Sequence, residues 1–101
     1  MKLVFILGAK HFDNEIKKIF DEAEISIYSQ TDISGHNKNE EEVLQDNWFA
    51  LSNDHQKSIV FFSFTEEYKA VKALNLANTF NRYISSKSRI RVFIMPVESH
   101  N

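Results

Sequence analysis

Four apolar runs, with one helical stripe after the first and another after the third, place the strongest constraint on how this chain folds. The first run, "LVFIL" (Leu3–Leu7), is continuous and closed by Gly8, the pattern of a strand buried on both faces at the centre of a sheet. Phe12, Ile16, Ile19, Phe20 and Ala23 then recur at spacings of four, three, one and three. That is one face of a helix, and Asp13 or Asn14 is placed to cap its free amides. "ISIYSQTDI" (Ile25–Ile33) alternates, with Ile25, Ile27 and Ile33 on one side and Tyr28, Gln30 and Asp32 on the other. It reads as a half-buried strand ended by Gly35.

"SIVFFSF" (Ser58–Phe64) is β-branched and aromatic, as strands favour. Thr65 is placed to cap a long helix whose first turn carries Glu66 and Glu67 at the positive end of the dipole. Ala70, Ala73, Leu74, Ala77, Phe80 and Ile84 form its apolar face, and its alanines allow close approach to a sheet. "RIRVFIMPV" (Arg89–Val97) is the last strand, with Pro96 suited to a strand end or an unpaired edge. The order β-α-β-β-α-β predicts an α+β, ferredoxin-like sandwich, in which a four-stranded antiparallel sheet carries two helices on one face. One domain over residues 1–101 is expected, interrupted by a loop at about 35–57.

Composition narrows the function classes. Twelve basic and 14 acidic residues give a net charge of −2, so no excess of positive charge argues for nucleic-acid binding. The absence of cysteine removes disulfides, thiolate nucleophiles and zinc ribbons together, and fits a reducing cytoplasm. Leu3–Leu7 is too short to span a bilayer, so direct membrane insertion is not expected. Ser58, Ser63 and Thr65 have no evident base partner and no nucleophile motif is present, so no catalytic residue is assigned and an enzyme is not expected.

Three stretches of this sequence resemble the PII-type signal-transduction family. "MKLVFILGAK" resembles that family's first strand, "TDISGHNK" (Thr31–Lys38) the stretch leading into its regulatory loop, and "RVFIMPVE" (Arg91–Glu98) its closing strand. The resemblance implies a homotrimer with sheets packed inward, ligand clefts between subunits, and loops that signal to a partner protein such as a membrane transporter. It implies ligand-binding positions at Gly35, His36 and Lys38, and at Ser86, Lys87, Arg89 and Arg91.

The family's nucleotide binders cradle phosphates on a glycine-rich connection before the last strand. Here that connection is "RYISSKSRIR" (Arg82–Arg91), where Ser85, Ser88 and Ile90 stand in place of glycine and Arg91 in place of lysine. Asn39 stands where those proteins place glutamine, and Glu40 where they place lysine. The sequence also ends at Asn101, before the family's arginine-bearing C-terminal loop. Adenine nucleotide is therefore disfavoured as the cofactor, whose identity the sequence leaves open.

A divalent metal is one alternative. His36, with Asp32 four residues before it and His11, His55 or His100 elsewhere, supplies imidazole and carboxylate donors but no tight ligand spacing. The cations Lys87, Arg89 and Arg91, with Arg82 nearby, suit either an anionic ligand or the negative end of a helix dipole. Trp48 and Phe49 suit either anchoring of a partner or packing onto the sheet or a neighbouring subunit. The competing function is an RNA-recognition motif, which shares the element order. "KSIVFFSF" (Lys57–Phe64) resembles its third strand and Phe5 the aromatic of its first, although Ile59 takes a position usually aromatic there.

Overall fold

The computed structural model describes residues 1–35 and 57–101. Its strands are β1 (Lys2–Ala9), β2 (Ser29–Ile33), β3 (Ser58–Thr65) and β4 (Arg91–Pro96), and its helices are α1 (Asp13–Glu22) and α2 (Glu67–Asn81). The sheet order is β2-β3-β1-β4 with every neighbouring pair antiparallel, so the ferredoxin-like expectation holds. The two strands richest in apolar residues, β1 and β3, take the centre and pair over their full lengths from Lys2↔Thr65 to Ala9↔Ser58. Pro96 ends β4, which lies on an edge where a missing donor costs no ladder bond.

Alternation divides the sheet into two faces. Val4 and Ile6 of β1 and Ile59 and Phe61 of β3 are buried under the helices. They pack against Ile16, Ile19 and Phe20 of α1 and Ala70, Ala73 and Ala77 of α2. The alanines bring α2 close to the sheet, as their small size allows. Phe20 stacks on Tyr28 at 4.5 Å and tilts against Phe61 at 5.8 Å, while Phe12 meets Phe80 edge-on at 5.2 Å and ties the start of α1 to the end of α2.

The opposite face carries Leu3, Phe5 and Leu7 of β1, Val60, Phe62 and Phe64 of β3, and Met95 of β4. Phe5 and Phe62 sit side by side with ring centres 6.0 Å apart. None of these seven is buried; Phe64 is 56% exposed and Met95 38%. Both helices pack on the other side.

Local expectations fail at three places. The second strand begins at Ser29 rather than Ile25, and Ile27 is 83% exposed instead of sharing a buried face with Ile25. Three contacts explain this. The Ile25 amide donates to the Phe20 carbonyl at 2.9 Å, Tyr28 is drawn onto Phe20, and the Ser63 hydroxyl donates to the Ile27 carbonyl at 2.6 Å. The Ile25 amide and the Ile27 carbonyl are therefore satisfied without a ladder. Neither helix has a side-chain cap: α1 starts after Phe12 and α2 after Glu66. Asp13 lies in the first turn of α1, 3.1 Å from the Lys17 ammonium, and Thr65 still belongs to β3.

Gly8 lies under the connection that enters β4. A β-carbon there would stand 2.8 Å from Ile90 Cγ2 and 3.3 Å from Ile16 Cδ1. Ile90 is buried and branched at Cβ, so it has little freedom to withdraw. Gly8→Ala is expected to lower the unfolding free energy by about 1–3 kcal/mol in urea titrations, the usual cost of overpacking. An unchanged or raised midpoint would contradict this close approach.

Candidate functional site

Because β1 and β2 both run antiparallel to β3, they leave the sheet at the same end, where β3 and β4 begin. Ile33, Ser58 and Ala9 form the last paired row across three strands, and Arg91 pairs with Leu7 two rows inside it. Gly35, Lys57, Lys10 and the Ser86–Arg91 connection therefore gather at this loop-base end. They are not together within one subunit: β2 and β4 occupy opposite edges, about 14 Å apart across three inter-strand gaps of the usual spacing.

The chain binds itself at the β2 edge. The Lys10 amide donates to the Lys57 carbonyl at 2.9 Å, and the Lys10 ammonium reaches over the start of β3 to Asp32 at 2.7 Å. Both side chains are about half exposed, so the ion pair adds at most ~1 kcal/mol. Its local effect is to occupy the carboxylate that was a metal-ligand candidate. Among the described residues no three His, Asp or Glu side chains gather to hold a metal. His11 tilts against Phe12 with ring centres 4.2 Å apart, and His100 Nδ1 lies 2.8 Å from the Asn101 carbonyl oxygen. His36, Lys38, Trp48, Phe49 and His55 lie outside the described residues.

At the β4 edge the connection is held by an unexpected residue. Asn81, the last residue of α2, spans nine positions to grip Ile90 on both sides. Its amide nitrogen donates to the Ile90 carbonyl and its oxygen accepts from the Ile90 amide, each at 2.9 Å. Ser85 Oγ accepts from the Lys87 amide at 3.3 Å, and the Ser88 amide donates to the Ser85 carbonyl at 2.9 Å, closing a short 3-10 turn over Ser86–Ser88. Ile90 is thus pinned by Asn81 while its side chain is wedged beside Gly8. Ser86, Lys87, Arg89 and Arg91 remain exposed. The amide at a position where the family's nucleotide binders have glycine is already committed to Asn81, so anion contacts here would fall chiefly to the guanidinium groups of Arg89 and Arg91.

Of the ligand-binding positions that the sequence resemblance implies, Gly35, Ser86, Lys87, Arg89 and Arg91 lie at this end of the sheet, and Asn81 was not among them. A side chain that replaces a ladder bond nine residues away leaves no periodic trace. The Ser58 hydroxyl is buried in the last paired row, with no hydrogen-bond partner among the described residues.

The RNA-recognition pattern fares poorly on this geometry. Its aromatic positions fall on Ile59, Phe61 and Phe64, and the first two are buried beneath the helices rather than offered to bases. Among the described residues no helix is long and apolar enough to cross a membrane.

Removing the Asn81 grip tests its role. Asn81→Ala leaves the Ile90 amide and carbonyl unpaired in a partly buried site, and is expected to cost about 1–3 kcal/mol in urea denaturation. A loss below about 0.5 kcal/mol would show that the connection is held by other means.

No protein-family model matches the sequence, and no curated protein matches it. Solved structures do match the fold. CPII from Thiomonas intermedia K12 bound to ADP, AMP and acetate superposes with a TM-score of 0.67 at 13% identity, over 93% of this chain and 82% of that one. The apo form of CPII, a nitrogen regulatory PII-like protein from the same organism, gives 0.66 at 15% identity, over 92% and 84%. A DUF3240 family protein from Shewanella baltica OS155 gives 0.64 at 14% identity, over 99% and 92%. The chain has the fold of PII-like nitrogen regulatory proteins, as the resemblance of its strands to that family led one to expect.

Proposed function

We propose that this chain is a non-catalytic, PII-like regulatory protein. It works as a homotrimer, takes a small ligand at the loop-base end, and signals occupancy to a partner protein through residues 35–57. The observation that carries the reading is the cationic, side-chain-pinned connection at Ser86–Arg91, which shares one end of a PII-like sheet with Gly35 but lies on the opposite edge. Bringing those two half-sites together takes a second subunit. The uncovered apolar face supplies a physical reason for subunits to meet.

The ligand that suits this chemistry is a small oxyanion gripped by Arg89 and Arg91, since guanidinium groups hold carboxylate-like anions through paired hydrogen bonds. CPII has been seen with ADP, AMP and bicarbonate, which supports bicarbonate as the first ligand to try. The same observation favours a second reading in which an adenine nucleotide binds despite the glycine-free connection. His36 and Lys38 would complete the site from the loop, with His36 the position for a divalent ion. Trp48 and Phe49 would meet the partner. The proposed setting is the cytoplasm, with a membrane transporter as the kind of partner regulated.

A thermal-shift screen of bicarbonate, ADP, AMP, ATP and divalent metals tests this. Bicarbonate at about one hundred times its dissociation constant is expected to add about 2.7 kcal/mol, a rise of several degrees in Tm. The rise should vanish in an Arg89→Ala/Arg91→Ala variant whose own Tm is little changed. A shift with nucleotide alone supports the second reading. No shift with any of them overturns ligand sensing at this end.

A further inference from the structure

The two helices treat their charge differently. In α1 each lysine has a carboxylate four residues away, Lys17 between Asp13 and Asp21 and Lys18 before Glu22, and the Asp13–Lys17 pair closes at 3.1 Å. That spacing lets charges on a helix surface neutralise one another. No Asp or Glu occurs between Tyr68 and Val97, while Lys69, Lys72, Arg82, Lys87, Arg89 and Arg91 supply six of the chain's 12 basic residues. Lys72 and Arg82 have no carboxylate three or four positions to either side. The ion pairs among the described residues are those of Lys2, Lys10 and Lys17, so none of the six is neutralised there.

The outer surface of α2 sets this charge beside aromatic rings. Ala70, Ala73 and Ala77 pack into the core beneath it. On the opposite side Tyr68, Lys72, Asn75 and Thr79 follow at spacings of four, three and four, which is one stripe of a helix. Tyr83 continues the stripe four residues on, because the Arg82 and Tyr83 amides still donate back to the Thr79 and Phe80 carbonyls at 3.2 and 3.1 Å. All five are exposed, as are Val71 and Arg82 on the flank; Tyr68 is 61% exposed and Tyr83 83%. The Thr79 hydroxyl donates to the Asn75 carbonyl at 3.1 Å, so Lys72, Arg82 and the Asn75 amide are the donors turned outward. The stripe runs about 22 Å at the usual helical rise. It lies on the side away from the uncovered sheet face, so it stays accessible when that face is covered.

We propose that this stripe docks an acidic segment of a partner protein, laid along α2 with its carboxylates on Lys72 and Arg82 and its apolar side chains against the two tyrosine rings. Charge complementarity selects the occupant: cations left unneutralised by their own helix are matched by carboxylates from outside. Tyrosine and arginine are also the residue types that most often anchor interfaces. Width selects a single segment over a planar anionic surface. A membrane laid on the helix layer would meet Asp21 and Glu22, which are exposed on α1, whereas a segment lying along α2 avoids them. Glu67 in the first turn of α2 is met by Lys2 at 3.8 Å, and it marks where the favourable field stops. Gly35, Arg89 and Arg91 are not part of the stripe, so the inference goes beyond the proposed ligand site and does not depend on it.

Amide chemical-shift mapping on the full chain tests it, with a synthetic peptide of Glu-Leu-Ala-Glu repeats as the probe and its Lys-for-Glu counterpart as the control. The acidic peptide is expected to move amides grouped within residues 68–83, and the movements should shrink as salt rises, since exposed charges are screened. Lys72→Glu should weaken binding about fivefold or more, because one exposed contact turns from attraction to repulsion. Tyr68→Ser should weaken it with the salt dependence unchanged. Both side chains are exposed, so folding should survive; circular dichroism checks it, and Lys72→Gln replaces a reversal that fails. Movements centred on Arg89 and Arg91, movements spread over every basic residue, an equal response to the Lys peptide, or no response each overturn the docking stripe. Sedimentation with phosphatidylcholine–phosphatidylserine vesicles in the absence of a peptide response gives the surface to lipid and overturns it as well. The bicarbonate shift in Tm should be the same in Lys72→Glu as in the native chain, so a failure of ligand sensing and a failure of this contact are read separately.

Discussion

The two central strands carry apolar side chains on both faces, yet two helices cover one face only. Val4, Ile6, Ile59 and Phe61 are sealed beneath α1 and α2, whereas Leu3, Phe5, Val60 and Phe62 lie half-buried on the face without helices. A polar outer face would have alternated apolar with polar residues, as sheets open to water do. "LVFIL" does not alternate. The same excess that forces β1 and β3 to the middle of the sheet leaves a face that water covers poorly, and the proposed trimer is a response to that constraint.

The loop-base end shows how the fold departs from a phosphate cradle while keeping its place. A glycine-rich connection offers bare amides to an anion. Here the backbone of Ile90 is engaged on both sides by Asn81, and its side chain is seated where Gly8 leaves room. The connection is stiffened by contacts within the subunit, and the charge available to a ligand moves outward onto Arg89 and Arg91. Gly8, Asn81 and Ile90 act together: without the glycine, Ile90 has no room, and without Asn81, its backbone has no partner. That arrangement favours a ligand held by side chains over one held by amides, and it is why bicarbonate precedes nucleotide in the proposed function.

How much could be read in the sequence follows from the range of each interaction. Strand and helix order came from periodicity that repeats over several residues, and Pro96 marked an edge because its missing donor is a local fact. Ile27 was misplaced because alternation cannot reveal that Ser63, 36 residues away, satisfies its carbonyl. Asp13, Asn14 and Thr65 are sound capping types, but the helices begin after Phe12 and Glu66, with no side-chain cap. At the site, Gly35 and Arg91 fall at one end simply because of strand direction. Asn81 stayed hidden because an asparagine at a helix end is unremarkable until its partner nine residues on is known.

The most direct test of the account is the mass of the native chain in solution at micromolar concentration, by sedimentation equilibrium. With a chain mass of 11.8 kDa, the account predicts a species about three times heavier, stable on dilution over a tenfold range. A species of 11.8 kDa that stays single as concentration rises would mean the apolar face is wetted in the functional protein, and would contradict the account at its root.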